Sequence, residues 1–282
     1  MEHVTLESTP RLRRPTMVAA FSGWNDAGGA ATLAAGYLRV ATEASRFAAI
    51  DPDEFIDYQQ TRPTVTLTDG RVREVEWPET ELLASEEHDL VIVTGPEPNM
   101  RWRAYSDAIC GLGRQIGVDL VVTLGALLAD TPHTRPVPVS STASDEDLIE
   151  RMALTRSNYE GPTGIVGVLQ DACARAQLRS ASLWAATPHY ISAAPNPRAA
   201  VALLERLAEL TGTPGPSGDL VRAASEYAVR VAAAVADDPE LVAYVEQLES
   251  AADAEDPATG EDLARDFERY LREQGEEDGR AG

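Results

Sequence analysis

The residues of this chain that could do chemistry sit in its loops. Gly23-Trp24-Asn25-Asp26-Ala27-Gly28 follows a short apolar run, Met17–Phe21, and leads into a small-residue segment. Glu97 lies in Gly95-Pro-Glu-Pro-Asn99, just after the apolar run Asp89–Thr94. His133 and Arg135 occupy a Pro-punctuated stretch beyond Val118–Leu124. Glu160, Thr163 and Gly164 precede a further apolar helical pattern, and His189 follows Ser182–Thr187. Asp26, Glu97 and Glu160 with two histidines on one rim would supply the groups that general acid–base catalysis needs. The same residue types also make turns, helix caps and ion pairs. No spacing among them selects a reaction, since Gly-x-Ser-x-Gly, His-Glu-x-x-His and Cys-x-x-Cys are all absent.

Gly23 and Gly28 have the spacing of a phosphate-binding loop. However, Gly29-Ala30 stands where Lys and Ser/Thr would have to reach the phosphates and magnesium. Nucleoside triphosphate hydrolysis of that kind is excluded. What remains is a helix N-terminus whose bare N–H groups can hold an anion or a polar ligand. Thr163-Gly164 offers a second one. The competing role for Asn25 and Asp26 is capping. Trp24 reads first as a packing anchor or interface residue. Gly111-x-Gly113-x3-Gly117 misses the dinucleotide-binding fingerprint by one residue and precedes a strand, so it reads as close helix packing.

Composition removes other classes. All 24 basic residues are Arg, so no lysine base, Schiff base or phosphate-loop lysine exists here. Cys110 and Cys173 stand alone in apolar helical contexts, which makes neither a disulfide framework nor a zinc site. No metal and no cofactor is expected. A net charge of −22 argues against nucleic acid and anionic membranes as partners. Residues 237–282 carry 16 Asp/Glu against 4 Arg, an acidic C-terminal face or tail. The N-terminal residues have no apolar run after their charges, and no stretch approaches ~18 uninterrupted apolar residues. A reduced, cytoplasmic protein is expected.

These loops need a frame. Apolar strands at 17–21, 45–50, 89–94, 118–124 and 182–187 alternate with helical patterns, the signature of an α/β sheet whose ligands bind at the strand C-termini. Val118–Leu124 should end at a turn at Gly125. Thr64–Leu67 and Val72–Trp77 around Asp69-Gly70 predict an inserted hairpin. The expected organisation is a flexible arm over 1–15, an α/β core over 16–212, an acidic helical appendage over 213–275 and a disordered tail over 276–282. Three short helices are expected in the appendage, the third carrying Leu263, Phe267, Tyr270 and Leu271. Small-residue helices such as Ala27–Leu38 permit the close packing that self-association uses.

Five motifs together resemble one family. They are Phe21-Ser-Gly-Trp-Asn-Asp-Ala-Gly28, Gly95-Pro-Glu-Pro98, Leu124-Gly-Ala-Leu-Leu-Ala-Asp-Thr-Pro-His-Thr-Arg-Pro-Val137, Tyr159-Glu-Gly-Pro-Thr-Gly164, and Thr187-Pro-His-Tyr190 with Pro195-Asn-Pro. In this order, over residues 15–212, they resemble the proteasome assembly chaperone two family and most of all its actinobacterial branch. The resemblance implies a three-layer α/β/α core similar to nucleoside phosphorylases and hydrolases, without their catalytic sets. It also implies a non-enzymatic homo-oligomer, a trimer by expectation, that binds proteasome subunits. The alternative is a binder or hydrolase of a nucleoside-like or anionic small molecule. Proteasome-binding members often end in hydrophobic-Tyr-any, whereas this sequence ends in Arg280-Ala281-Gly282. Docking through such a tail is therefore not expected.

Overall fold

The computed structural model describes residues 3–68, 72–143, 145–191 and 193–254. The Asp69-Gly70 turn, the third appendage helix and the 276–282 tail lie outside the described residues. The first half of the chain runs β1 (Val4–Leu6), β2 (Thr16–Ser22), α1 (Ala30–Ala41), β3 (Ser45–Ile50), β4 (Thr64–Thr68), β5 (Val72–Glu76), β6 (Thr80–Ser85) and β7 (Leu90–Pro96). Then come α2 (Trp102–Gln115), β8 (Leu120–Ala129), β9 (Val139–Ala143), α3 (Glu146–Met152), α4 (Ile165–Arg175) and β10 (Ser180–Pro188). Three helices follow, α5 (Pro197–Thr211), α6 (Gly218–Ala236) and α7 (Pro239–Ala254).

Eight strands form one mixed sheet in the order β1-β3-β6-β7-β2-β8-β10-β9, and β4 and β5 pair separately as the expected ribbon. The four inner strands β7, β2, β8 and β10 are parallel, and the pairs at both flanks are antiparallel. Strand β2 explains the layering. Its residues 17–21 are all fully buried, as a strand covered on both faces must be. Val18 and Ala20 pack with α1 and α5 on one face; Met17, Ala19 and Phe21 pack with α2 and α4 on the other. This is the three-layer α/β/α architecture.

Several local expectations need correction. Residues Val4–Leu6 of the expected arm are an edge strand paired with β3. Strand β6 had no expectation at all, because Thr-Glu-Leu-Leu-Ala-Ser is short and set among glutamates. Strand β8 does not turn at Gly125 but runs on to Ala129. There the glycine serves contact: a Cβ would meet the Trp184 indole at 2.6 Å. The alanine face of α1 (Ala30, Ala31, Ala34 and Ala35) is buried within the chain, packed on the sheet and α5, so it is not available for self-association. The first appendage helix, α6, is 19 residues long, and its Leu220 joins the core.

Polar ties close the frame. The Arg46 guanidinium forks onto Glu7, at 2.7 Å, and Glu79, which holds it protonated even more firmly than usual. Cys110 and Cys173 are free thiols with their sulfurs 3.7 Å apart, one on α2 and one on α4. Their hydrogen bond pulls the Cys110 thiol pKa down and pushes that of Cys173 up. Among the described residues no helix is long and apolar enough to cross a membrane.

Strands β6 and β7 meet closest at Gly95, where a Cβ would lie 2.7 Å from the Glu79 carbonyl oxygen and 2.8 Å from Thr80 Cα. Backbone atoms cannot step aside. Gly95→Ala therefore lowers stability by about 1–3 kcal/mol, read as a fall in the urea midpoint. An unchanged midpoint would contradict this close approach.

Candidate functional site

The ten candidate ligand-binding residues, Gly23, Asn25, Asp26, Gly28, Glu97, His133, Arg135, Thr163, Gly164 and His189, separate into two groups. The first gathers where β2, β7 and α4 end or begin. Asn25 is only 1% exposed. Its Nδ2 donates to Glu97 Oε1 at 2.8 Å, and the same oxygen accepts the Ile165 backbone N–H at 2.7 Å. Glu97 thus caps the first amide of α4, the place where a carboxylate best meets the helix dipole. Gly164 is required there, since a Cβ would lie 2.4 Å from Asn25 Nδ2 and 2.7 Å from Glu97 Oε1. Gly23, at φ +128°, brings the β2 loop against the Glu97 side chain. Thr163 sits beside it, exposed, over the first turn of α4 at Gly167.

Asp26 plays the same part for α1. Its Oδ1 accepts the Ala31 N–H at 2.7 Å, and its Oδ2 lies 2.5 Å from the Thr32 hydroxyl. Burial raises the Asp26 pKa, and these hydrogen bonds oppose the rise. Capping is therefore the role its geometry supports. Gly28 turns away to α5: its carbonyl accepts the Asn196 N–H at 2.7 Å, and Asn196 caps that helix through Ala199.

In the second group Arg135 and His189 meet α7 directly, and His133 packs on Tyr190, whose ring meets Tyr244 of α7. Arg135 grips Asp253 with two bonds of 3.0 and 2.7 Å and reaches Glu249 at 3.2 Å. This pairing lowers the Asp253 pKa. His189 Nδ1 lies 3.1 Å from Asp130 Oδ1, which also accepts the Tyr244 hydroxyl of α7 at 3.2 Å. The Tyr190 hydroxyl accepts the His133 backbone N–H at 2.8 Å and lies 3.0 Å from Nδ1. Burial, followed by nearby Arg198, pushes the His133 pKa down from 6.5. Glu160 is exposed on the loop before α4. Among the described residues no group of three His, Cys, Asp or Glu is assembled to hold a metal ion.

A cleft of about 530 Å³ lies beside the first group. Only Asn25 and Thr163 of the ten line it. Its floor is the face of β9 and β10 that the helix layer leaves uncovered, with Thr142, Ser182 and Trp184, and α4 contributes Gln170 as a wall. Gln170 Nε2 donates to Thr123 Oγ1 at 3.0 Å and to the Ala181 carbonyl at 2.9 Å. Thr123 Oγ1 then donates to Ser182 Oγ at 2.9 Å, which also accepts from Trp184 Nε1 at 2.9 Å. Sequence reasoning missed this floor. A signal was present in Ser180-x-Ser182-x-Trp184, a period-two polar stripe in a strand otherwise apolar.

Two outcomes follow. Glu97→Ala leaves the α4 amide and Asn25 unmatched and costs about 1–2 kcal/mol of stability, while Glu97→Gln, which keeps an acceptor, costs clearly less in chemical denaturation. Because burial lowers the proton affinity of His133 in the fold, the unfolded chain takes up the proton first as pH falls. The stability that depends on neutral His133 is complete above the unfolded pKa of 6.5 and is lost below it. Urea midpoints at about pH 7.5 and about pH 5.5 should therefore differ less in His133→Asn than in the wild type.

The profile of the PAC2 family matches residues 20–235. A PAC2 family protein from Streptomyces avermitilis is 49% identical, with 82% of this chain and 99% of that one covered and a TM-score of 0.76. A proteasome-assembly chaperone homologue from Mycobacterium tuberculosis is 43% identical over 82% of this chain and 99% of its own, with a TM-score of 0.74. A Corynebacterium glutamicum protein of unknown function is 25% identical over 89% and 97%, with a TM-score of 0.80. No curated protein matches the chain. The family match over most of the chain and two relatives above 40% identity agree: the chain belongs to the PAC2 family.

Proposed function

We propose that this chain is a non-enzymatic interaction protein that binds proteasome subunits or their assembly intermediates. We propose further that it works in the cytoplasm as a homo-oligomer, a trimer by the sequence reading. The observation that carries the proposal is PAC2 membership together with the 43% identical neighbour described as a proteasome-assembly chaperone homologue. Pyrococcus furiosus proteins described as a homolog of proteasome-assembly chaperone and as a proteasome activator lend the fold alone, at 19% and 20% identity.

The geometry supports the non-enzymatic part. General acid–base work needs titratable groups that converge on one reacting atom. Here Glu97 and Asp26 are bound to helix amides, Arg135 and His189 meet α7, and His133 is bound to Tyr190. Each is committed to the fold. The helix N-termini of α1 and α4, which could attract an anionic substrate, already hold the chain's own carboxylates. In this reading the α/β core over 16–212 is the scaffold and the acidic helices from 213 onward are an appendage on it.

The test is a tagged full-length chain used as bait in its own cytosol, with mass spectrometry and light scattering of the eluate. Proteasome α- or β-subunits or an assembly intermediate should co-elute with a bait heavier than one chain. Recovery of no proteasome subunit would overturn the reading.

A further inference from the structure

We propose that the cleft between α4 and the uncovered face of β9 and β10 binds an uncharged, planar heteroaromatic molecule that carries N–H donors. This is independent of proteasome binding and can fail without it.

Size is the first argument. About 530 Å³ lies within the range of clefts that take small organic ligands. Shape is the second. The Trp184 indole lies on the floor against Gly125, whose missing Cβ allows that approach, and Trp24 stands at the opening with 46% of its surface exposed. Two indoles and Tyr159 line one space, an aromatic lining that favours a flat ligand.

Charge is the third argument. The charged residues at the edge are paired within the chain, Arg156 with Glu146 and Asp171 with Arg175. The N-terminus of α4 would draw an anion, but Glu97 already occupies its first amide. An ionic ligand would lose its hydration without a counter-charge, whereas a neutral one would not.

The fourth argument is the hydrogen-bond inventory. Gln170 spends both Nε2 hydrogens on Thr123 and Ala181, so its Oε1 is left to accept. Ser182 Oγ receives two hydrogen bonds, so its own proton is left to donate. Gln170 Oε1 thus suits a ligand N–H and the Ser182 hydroxyl a ring-nitrogen acceptor.

The probes are adenine and indazole, both uncharged, with indazole-3-carboxylate as the anionic counterpart of the second. Binding to the full chain is followed by calorimetry and tryptophan emission. Adenine or indazole should bind saturably, and indazole-3-carboxylate at least about tenfold more weakly than indazole. Trp24→Ala removes an exposed ring, and Ala174→Trp fills the mouth from an exposed position. Either should weaken binding by about tenfold or more, with an unchanged circular dichroism spectrum showing that both variants fold. The proposal is overturned if neither neutral probe saturates, if the carboxylate binds as tightly as indazole, or if folded variants bind as the wild type does.

Discussion

One carboxylate oxygen joins three separate pieces of this chain. Glu97 Oε1 accepts from Asn25, just beyond β2, and from the first amide of α4, while Glu97 itself follows β7. A helix N-terminus left bare inside a protein is costly, because its amides can find no water. The fold meets that cost with a side chain from a neighbouring strand end, and this sets how close α4 comes to the sheet. Gly164 and Gly23 then follow as consequences, since the carboxylate and amide fit only where a Cβ is missing. Asp26 repeats the solution for α1. Loops that look like anion sites are thereby made neutral from within.

The same economy appears at the other end of the rim. His133, Arg135 and His189 have the chemistry of a catalytic set, but α7 brings Glu249, Asp253 and Tyr244 down onto them or onto their partners. Charges that could have turned a substrate over hold a helix in place. What is left open is a cleft walled by aromatic rings, amides and hydroxyls, a composition better suited to recognition than to proton transfer.

How far this could be read from the residues depends on the range of the interaction involved. Strand β3 falls at Ser45–Ile50 as its pattern indicated, and α4 follows the apolar helical pattern after Gly164. Those signals are local. Strand β6 was invisible because its burial comes from the strands on either side, not from its own pattern. Gly125 was misread because a strand glycine that admits an indole from β10 looks like a turn glycine. For the site, Gly23, Asn25, Glu97 and Gly164 lie together beside the ends of β2 and β7 and the start of α4, and Asp26 at the start of α1. The sequence could not show that α7 would claim Arg135, because pairings more than a hundred residues apart leave no local trace. The cleft floor was hidden for a similar reason, being made where two strands lack a covering helix.

The Arg46 fork with Glu7 and Glu79 has a wider meaning when set beside the absence of lysine. Every side-chain cation here that is permanently charged is a guanidinium. It holds its proton far into alkali, so the cationic half of these ion pairs does not titrate, and acid alone can dissolve them through the carboxylates. The chain also offers no ε-amino group to acylating reagents, to carbonyl compounds or to enzymes that build isopeptide bonds on lysine side chains. A protein surface of this kind can make many ion pairs and still be inert to lysine-directed chemistry.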